Sequence, residues 1–267
     1  MSLGVEGGGK FCDPHSIEKA RKRLASGSAR ATRRAGFLVL SGSFNPVHTQ
    51  HVRILEEARR HFERAGWLVI AGFLAPSSDE YVWSKLGPNA LDLQDRRTLC
   101  ELAVLESDWL GVCGRAELSS RWVARGVREE LAWHCRDLLG GNALAGVEVM
   151  GSDTAVRLLT RILAGQPDGV PVRTQEERAI CCFLRGVDAE SARERHAAEA
   201  FLTSAAARLE IDLTVLDPAS CAPPIAAVSS SSILELVRRS DWPALRAAGW
   251  LHPSVLHACQ RFTARWS

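Results

Sequence analysis

The chain has 267 residues, 46% of them hydrophobic, enough for one sizeable α/β domain or two small ones. Its 33 Lys and Arg against 31 Asp and Glu leave a net charge of +2, so no global field points to a nucleic acid and any anion site must be local. No apolar run approaches a bilayer span and no signal-peptide core opens the chain, so a soluble protein of the cytoplasm or nucleus is expected, with no membrane partner.

In chain order, GVEGGGK is a flexible start, and DPHSIEKARKRL reads as a helix with Asp13 as N-cap and Pro14 in its first turn. SGSARATRRAG then returns to small and basic residues. Residues 1–36 are expected to form a basic, partly flexible appendage with a solvated helix; organelle targeting is the alternative, and Asp13 and Glu18 count against it. From residue 37 short apolar runs alternate with amphipathic helices. FLVLSG is followed by the helix PVHTQHVRILEEARRHFERAG, where Val47, His51, Ile54, Leu55 and Ala58 recur at helical spacing. WLVIAGFLAP is the next strand, SSDEYVWSKLGPN a polar loop, and ALDLQDRRTLCELAVLES a helix. WLGVCG, VEVMG, AICCFLRG and LTVLD continue the strands, with helices between them and a turn-rich loop at GQPDGVPVRTQEE. After Asp217 come a PASCAPP loop and a short helical tail. Strands that read as continuous apolar runs argue for a Rossmann-like parallel sheet of five or six strands with helices on both faces. Residues 37–267 form one domain with a small C-terminal helical cap.

The eight cysteines are scattered, with no CxxC pair, so neither a zinc ribbon nor a thioredoxin-type motif is present. Buried, reduced thiols are the expectation.

Ligands of open α/β sheets bind at the carboxyl ends of strands, beside the N-termini of the following helices. GSFNPVHTQH lies at such a point. Gly42 and Ser43 let the chain turn closely, and Pro46 suits a first helical turn. His48 and His51 then share one helix face, three residues apart. Helix-terminal amides and the positive end of the helix dipole make a phosphate cradle there. A metal site is disfavoured, since no third ligand is near in sequence; two incidental helix histidines are the alternative for a bare HxxH.

The complete string resembles the G-(S/T)-F-(D/N)-P-x-H-x-x-H signature of the nucleotidylyltransferase superfamily. The resemblance implies that His48 and His51 bind nucleotide phosphates and neutralise developing charge, with Gly42, Ser43, Phe44 and Asn45 around the triphosphate. VSSSSILELVRR resembles the second signature, I-S-S-T-x-x-R, which implies phosphate contacts from Ser229, Ser230 and Ser231. Leu234 stands where the arginine is expected; Arg238, one turn later, is the candidate substitute. A serine-rich N-cap explains this string equally well.

The stretch APSSDEYVWSKLGPNALDLQDRRTLCELAVLESDWLGV is similar to the nicotinamide/nicotinate mononucleotide adenylyltransferases. By that resemblance Lys85 contacts phosphate and Trp109 stacks on the pyridine ring, although a core tryptophan is nearly as good a reading. GSD, with Gly151 and Asp153, resembles the ribose-binding G-(A/S)-D, although Asp153 could instead cap a helix; FLRG, with Arg185, resembles the strand-end arginine near adenine and phosphate. Tyr81 and Trp83 fit a lid or specificity loop, and packing explains them as well. The W-E segment expected after SDW is not evident. The resemblance implies adenylyl transfer from ATP, with Mg²⁺ bound through its phosphates, to a small phosphorylated acceptor, and is compatible with a homo-oligomer. The alternatives are a cytidylyltransferase, a phosphopantetheine adenylyltransferase, or a nucleotide-binding relative weakened by Leu234.

Overall fold

The six runs read as strands form one sheet: β1 (Ala35–Gly42), β2 (Leu68–Pro76), β3 (Leu110–Val112), β4 (Ala145–Gly151), β5 (Ala179–Phe183) and β6 (Asp212–Leu216). All neighbouring pairs are parallel, in the order β3-β2-β1-β4-β5-β6. The computed structural model describes residues 10–27, 34–115, 120–165, 179–184, 191–222, 225 and 228–266. The basic stretch 28–33, the turn-rich loop from residue 166 and Arg185 lie outside the described residues.

The helices are α1 (Pro14–Gly27), α2 (Thr49–Arg64), α3 (Asp79–Leu86), α4 (Leu93–Ala103), α5 (Ser120–His134), α6 (Arg136–Leu139), α7 (Ser152–Leu163), α8 (Ser191–Arg208), α9 (Ser230–Arg238), α10 (Trp242–Ala248) and α11 (Pro253–Trp266). Alternate strand side chains point to opposite faces. Leu38, Leu40, Val147 and Val149 join a core with Leu55, Leu99, Ile233 and Val255, so α2, α4 and the C-terminal helices cover one face. Phe37, Val39 and Ile70 pack with α1 and α5, and Met150, Ile180 and Cys182 with α7 and α8, on the other. This is the Rossmann-like architecture, and its strand order reverses between β1 and β4.

Two expectations need correction. The leading helix is not solvated: Ile17, Ala20 and Leu24 of α1 are buried against the sheet, Lys19 Nζ donates to Leu110 O at 2.9 Å, and Arg23 Nε donates to Val69 O at 3.1 Å. Asp13 does cap it, accepting from Ser16 N at 2.9 Å. The sequence SSDEYVWSKLGPN is mostly helix rather than loop. Ser78 caps α3, Asp79 and Glu80 sit in its first turn, Val82 anchors it in the core, and Gly87 takes a positive φ of 55° at its end.

Seven of the eight cysteines are buried and all are free thiols, Cys221 being half-buried. No helix among the described residues is long and apolar enough to cross a membrane.

Candidate nucleotide site at the sheet reversal

The β1–β2 ladder pairs Gly42 with Pro76, and the β1–β4 ladder pairs Leu40 with Val149, so Gly42 and Gly151 end level with one another. The GSFNPVHTQH loop after β1 and the GSD turn after β4 therefore stand on either side of the point where the strand order reverses. A crevice forms there because successive connections leave in opposite directions.

The loop is built from inside. Phe44 adopts a φ of 44°, a conformation that costs a non-glycine residue about 1 kcal/mol or more. It is held there because its buried ring packs edge-on against His51 at 4.9 Å. Asn45 is buried and both ends of its amide are occupied: Nδ2 donates to Asn89 O at 2.9 Å, and Oδ1 accepts from Leu91 N at 2.7 Å. Phe44 and Asn45 shape the loop from beneath instead of pointing their side chains at a phosphate. Beneath them lies Arg96, fully buried, whose guanidinium donates to Leu91 O at 3.0 Å, Ser43 O at 3.0 Å and Asp79 Oδ1 at 2.9 Å. The resemblance did not single out Arg96. Its one signal in the sequence was a charge on the apolar stripe of α4, in helical register with Leu99 and Cys100.

His48 is the N-cap of α2 and is only 6% exposed. It also borders an apolar cleft of about 180 Å³ lined by Val47, Val52, Ala103 and Val255. Burial pushes its imidazole down to about 4, so the ring is neutral at neutral pH. Its Nδ1 is buried with no hydrogen-bond partner. The His48 and His51 rings stack, centroids 3.7 Å apart. His48 N donates to His51 Nδ1 at 3.1 Å, which leaves the proton of a neutral His51 on Nε2. The expected cradle of free amides is reduced. His48 N is engaged by His51, and Thr49 N donates to Trp250 O of the C-terminal cap at 2.8 Å. A contact 201 positions away in the chain was not readable from local pattern.

The second serine string folds against the first. Ser229 caps α9, accepting from Ser232 N at 3.1 Å, and Ser230 Oγ donates to Pro46 O at 2.9 Å. That bond joins two segments of the chain 184 positions apart. Ser231 is exposed in the first turn. Leu234 is buried in the core with Ile233 and Val237, so an arginine at this position would have to leave the helix face it occupies. Arg238, the last residue of α9, hydrogen-bonds Asn89 Oδ1 and so reaches the loop that Asn45 holds.

The remaining residues separate. Gly151 caps α7 and Asp153 is exposed in its first turn, at the same crevice. Lys85 is exposed in the last turn of α3. Trp109 does not reach the crevice. It precedes β3 at the amino side of its ladder, is 2% exposed, donates from Nε1 to Glu56 Oε1 at 2.7 Å and lies under Arg59. A Cβ on Gly72 would stand 2.5 Å from its ring, so the backbone of β2 closes its other side. The stacking role expected of Trp109 fails because both faces of the ring are covered by the protein itself.

The chain resembles two solved structures. One is Plasmodium falciparum nicotinic acid mononucleotide adenylyltransferase complexed with NaAD, at 12% identity and a TM-score of 0.51, covering 86% of this chain and 96% of that one. The other is the same enzyme complexed with APC, at 12% identity and a TM-score of 0.47 over the same shares. At this identity the likeness concerns the fold. No curated protein matches the chain. The model of the cytidylyltransferase-like family matches residues 39–235, a span that runs from β1 through both signature strings. The chain belongs to the cytidylyltransferase-like family and is a nucleotidyltransferase.

Proposed function

We propose that the protein transfers the adenylyl group of ATP to the 5′-phosphate of nicotinate or nicotinamide mononucleotide, a step of NAD biosynthesis. An oxygen of the acceptor phosphate bonds to the α-phosphorus while the bond to the bridging oxygen of the β-phosphate breaks, and pyrophosphate leaves. Such transfers depend on positioning and charge stabilisation more than on covalent help from the protein. The observation that carries the reading is the bond from Ser230 Oγ to Pro46 O, which brings the serine string onto the histidine loop at the sheet reversal.

In this reading His48 and His51 donate hydrogen bonds to phosphate oxygens. With His48 neutral, it acts as a dipolar donor and not as a cation. Gly42 and Ser43 bound the phosphates through the backbone, Ser229, Ser230 and Ser231 face the leaving pyrophosphate, and Arg238 or Arg185 supplies positive charge. Gly151 and Asp153 face the ATP ribose, and Lys85 the acceptor phosphate. The side chains that meet at the histidine loop are imidazoles and hydroxyls, a set suited to phosphate oxygens more than to a hard cation. Mg²⁺ would therefore be carried by the nucleotide phosphates and not by these residues, and would supply positive charge to the phosphate oxygens. The acceptor is chosen on the likeness of the 75–112 stretch to mononucleotide adenylyltransferases and on the NaAD-bound neighbour.

Leu234 favours a second reading, a nucleotide-binding relative of reduced turnover, because the motif arginine has become a core residue. Pyrophosphate release from ATP, measured with nicotinate mononucleotide, nicotinamide mononucleotide, phosphopantetheine and choline phosphate in turn, separates these. Turnover with a pyridine mononucleotide, lost in His48→Asn without loss of fold, is the expected result. ATP binding with no turnover on any acceptor would select the second reading.

A further inference from the structure

The apolar cleft beside the first turn of α2 has no part in the proposed reaction. Its wall is built from three elements: Val47 and Val52 at the α2 end, Ala103 closing α4, and Val255 in α11. Its volume of about 180 Å³ suits a single aromatic ring, since a dry protein cavity of about 150 Å³ takes up benzene. Among the buried side-chain nitrogens and oxygens of that wall, one has no hydrogen-bond partner. It is His48 Nδ1, in a residue that is only 6% exposed. By contrast Thr49 donates from N to Trp250 O at 2.8 Å and from Oγ1 to Gly249 O at 3.4 Å. His252 Nδ1, also in the wall, accepts from Ser254 N at 3.3 Å.

An unpaired nitrogen in a carbon wall defines the chemistry of its partner. A water at Nδ1 would meet apolar carbons on its other sides, whereas buried waters make about three hydrogen bonds. A phosphate would lose its hydration with too little in return. A ring that carries one O–H or N–H satisfies both surfaces: its carbons fill the cleft and its donor pairs the nitrogen. We propose that this cleft is a binding site for a small aromatic molecule with a single hydrogen-bond donor, which seats its ring against Val47, Val52, Ala103 and Val255 and donates to His48 Nδ1. A neutral imidazole has one N–H and one lone pair, so a donor at Nδ1 holds the proton on Nε2. A ligand outside the phosphate crevice thereby sets which nitrogen of His48 is free to donate. That consequence rests on the phosphate-donor reading of His48 above; the binding itself does not.

The test is titration of phenol, and separately of toluene, into the full chain, followed by the ring-nitrogen NMR shifts of histidine-labelled protein. Toluene has the shape of phenol and lacks its donor. Phenol should bind about fivefold more tightly than toluene, the scale of one net hydrogen bond. It should also shift His48 Nδ1 as a lone pair that has gained a donor, and should stay bound at saturating ATP. Ala103→Leu fills the cleft from a half-buried position and should abolish binding of both probes with Tm unchanged. Where that variant lowers Tm, Val52→Leu fills the same space from α2 and should give the same loss. Equal affinity for phenol and toluene, a protonated Nδ1, or undiminished binding in a folded cleft-filling variant would each overturn the site. No binding of either probe, or displacement of phenol by ATP, would overturn it too. The readout needs no turnover, so failure of the adenylyl-transfer reading would leave a positive result standing.

Discussion

Burial of His48 has an electrostatic consequence that a pH series can read. Its ordinary value near 6.5 falls to about 4 on burial, so the unfolded chain binds more protons than the folded one between those two pH values. Stability therefore rises with pH across that window and is lost as pH falls from about 6.5 towards 4. The full difference is on the order of 3 kcal/mol. Urea unfolding at pH 7, 5.5 and 4.5 should show this slope, and His48→Asn should flatten it by the same amount. The same neutrality shapes the rate: the activity profile should run without a fall at pH 6.5 attributable to His48, and a fall centred there would refute the neutral-donor role. Trp109 and Leu234 make the complementary point at this scale. Each sits at a position that a motif resemblance marks for ligand contact, and each is enclosed by core atoms instead. A residue type at a spacing defines where a side chain starts; what covers it is settled by neighbours elsewhere in the chain.

Between elements, the tie that matters most is Arg96. It joins α4 to the histidine loop and to the first turn of α3, with no exposure of its own and three oxygen partners. Removing a buried charged partner leaves Ser43 O and Leu91 O without donors, a loss of about 3–5 kcal/mol. Arg96→Ala should therefore lower the denaturant midpoint strongly. Asp79→Asn, which alters only the exposed end of the same tie, should cost well under that, because exposed ion pairs contribute about 1 kcal/mol or less. Equal losses for the two variants would show that the interior carbonyls are not what Arg96 serves. The α3 segment shows why the expectation of a loop failed: its single buried side chain, Val82, gives no amphipathic repeat to read. Its helix rests on a serine cap, two acidic residues in the first turn and a glycine stop, signals that loops share.

At the scale of the whole molecule, α1 changes the account of the N-terminal region. It covers the β1–β2 part of the sheet together with α5, and Glu130 of α5 accepts from the backbone of Phe11 and Cys12 at 2.8 and 3.1 Å. Deleting residues 1–27 uncovers that face. Losing the burial of Ile17 and Leu24 alone costs on the order of 5 kcal/mol, comparable to the net stability of many domains. Such a truncation should unfold at markedly lower urea than the full chain, and an unchanged midpoint would restore the view of this region as an appendage.

The sheet was legible in the sequence because strands buried on both faces must be apolar throughout, and helices between them must repeat at 3.6 residues. The histidine loop was legible because a turn, a proline and two imidazoles at fixed spacing are all local. By itself the sequence determined the apolar runs that become the strands, the amphipathic helices between them other than α3, and the two signature strings. Tertiary structure alone decided that the two strings meet through Ser230 and Pro46, that Trp250 occupies an amide of α2, and that Trp109 is enclosed. The reason is physical: backbone preference and hydrophobic period act within a few residues. Burial and hydrogen-bond partnership are set by segments up to 201 positions distant, which no local pattern records.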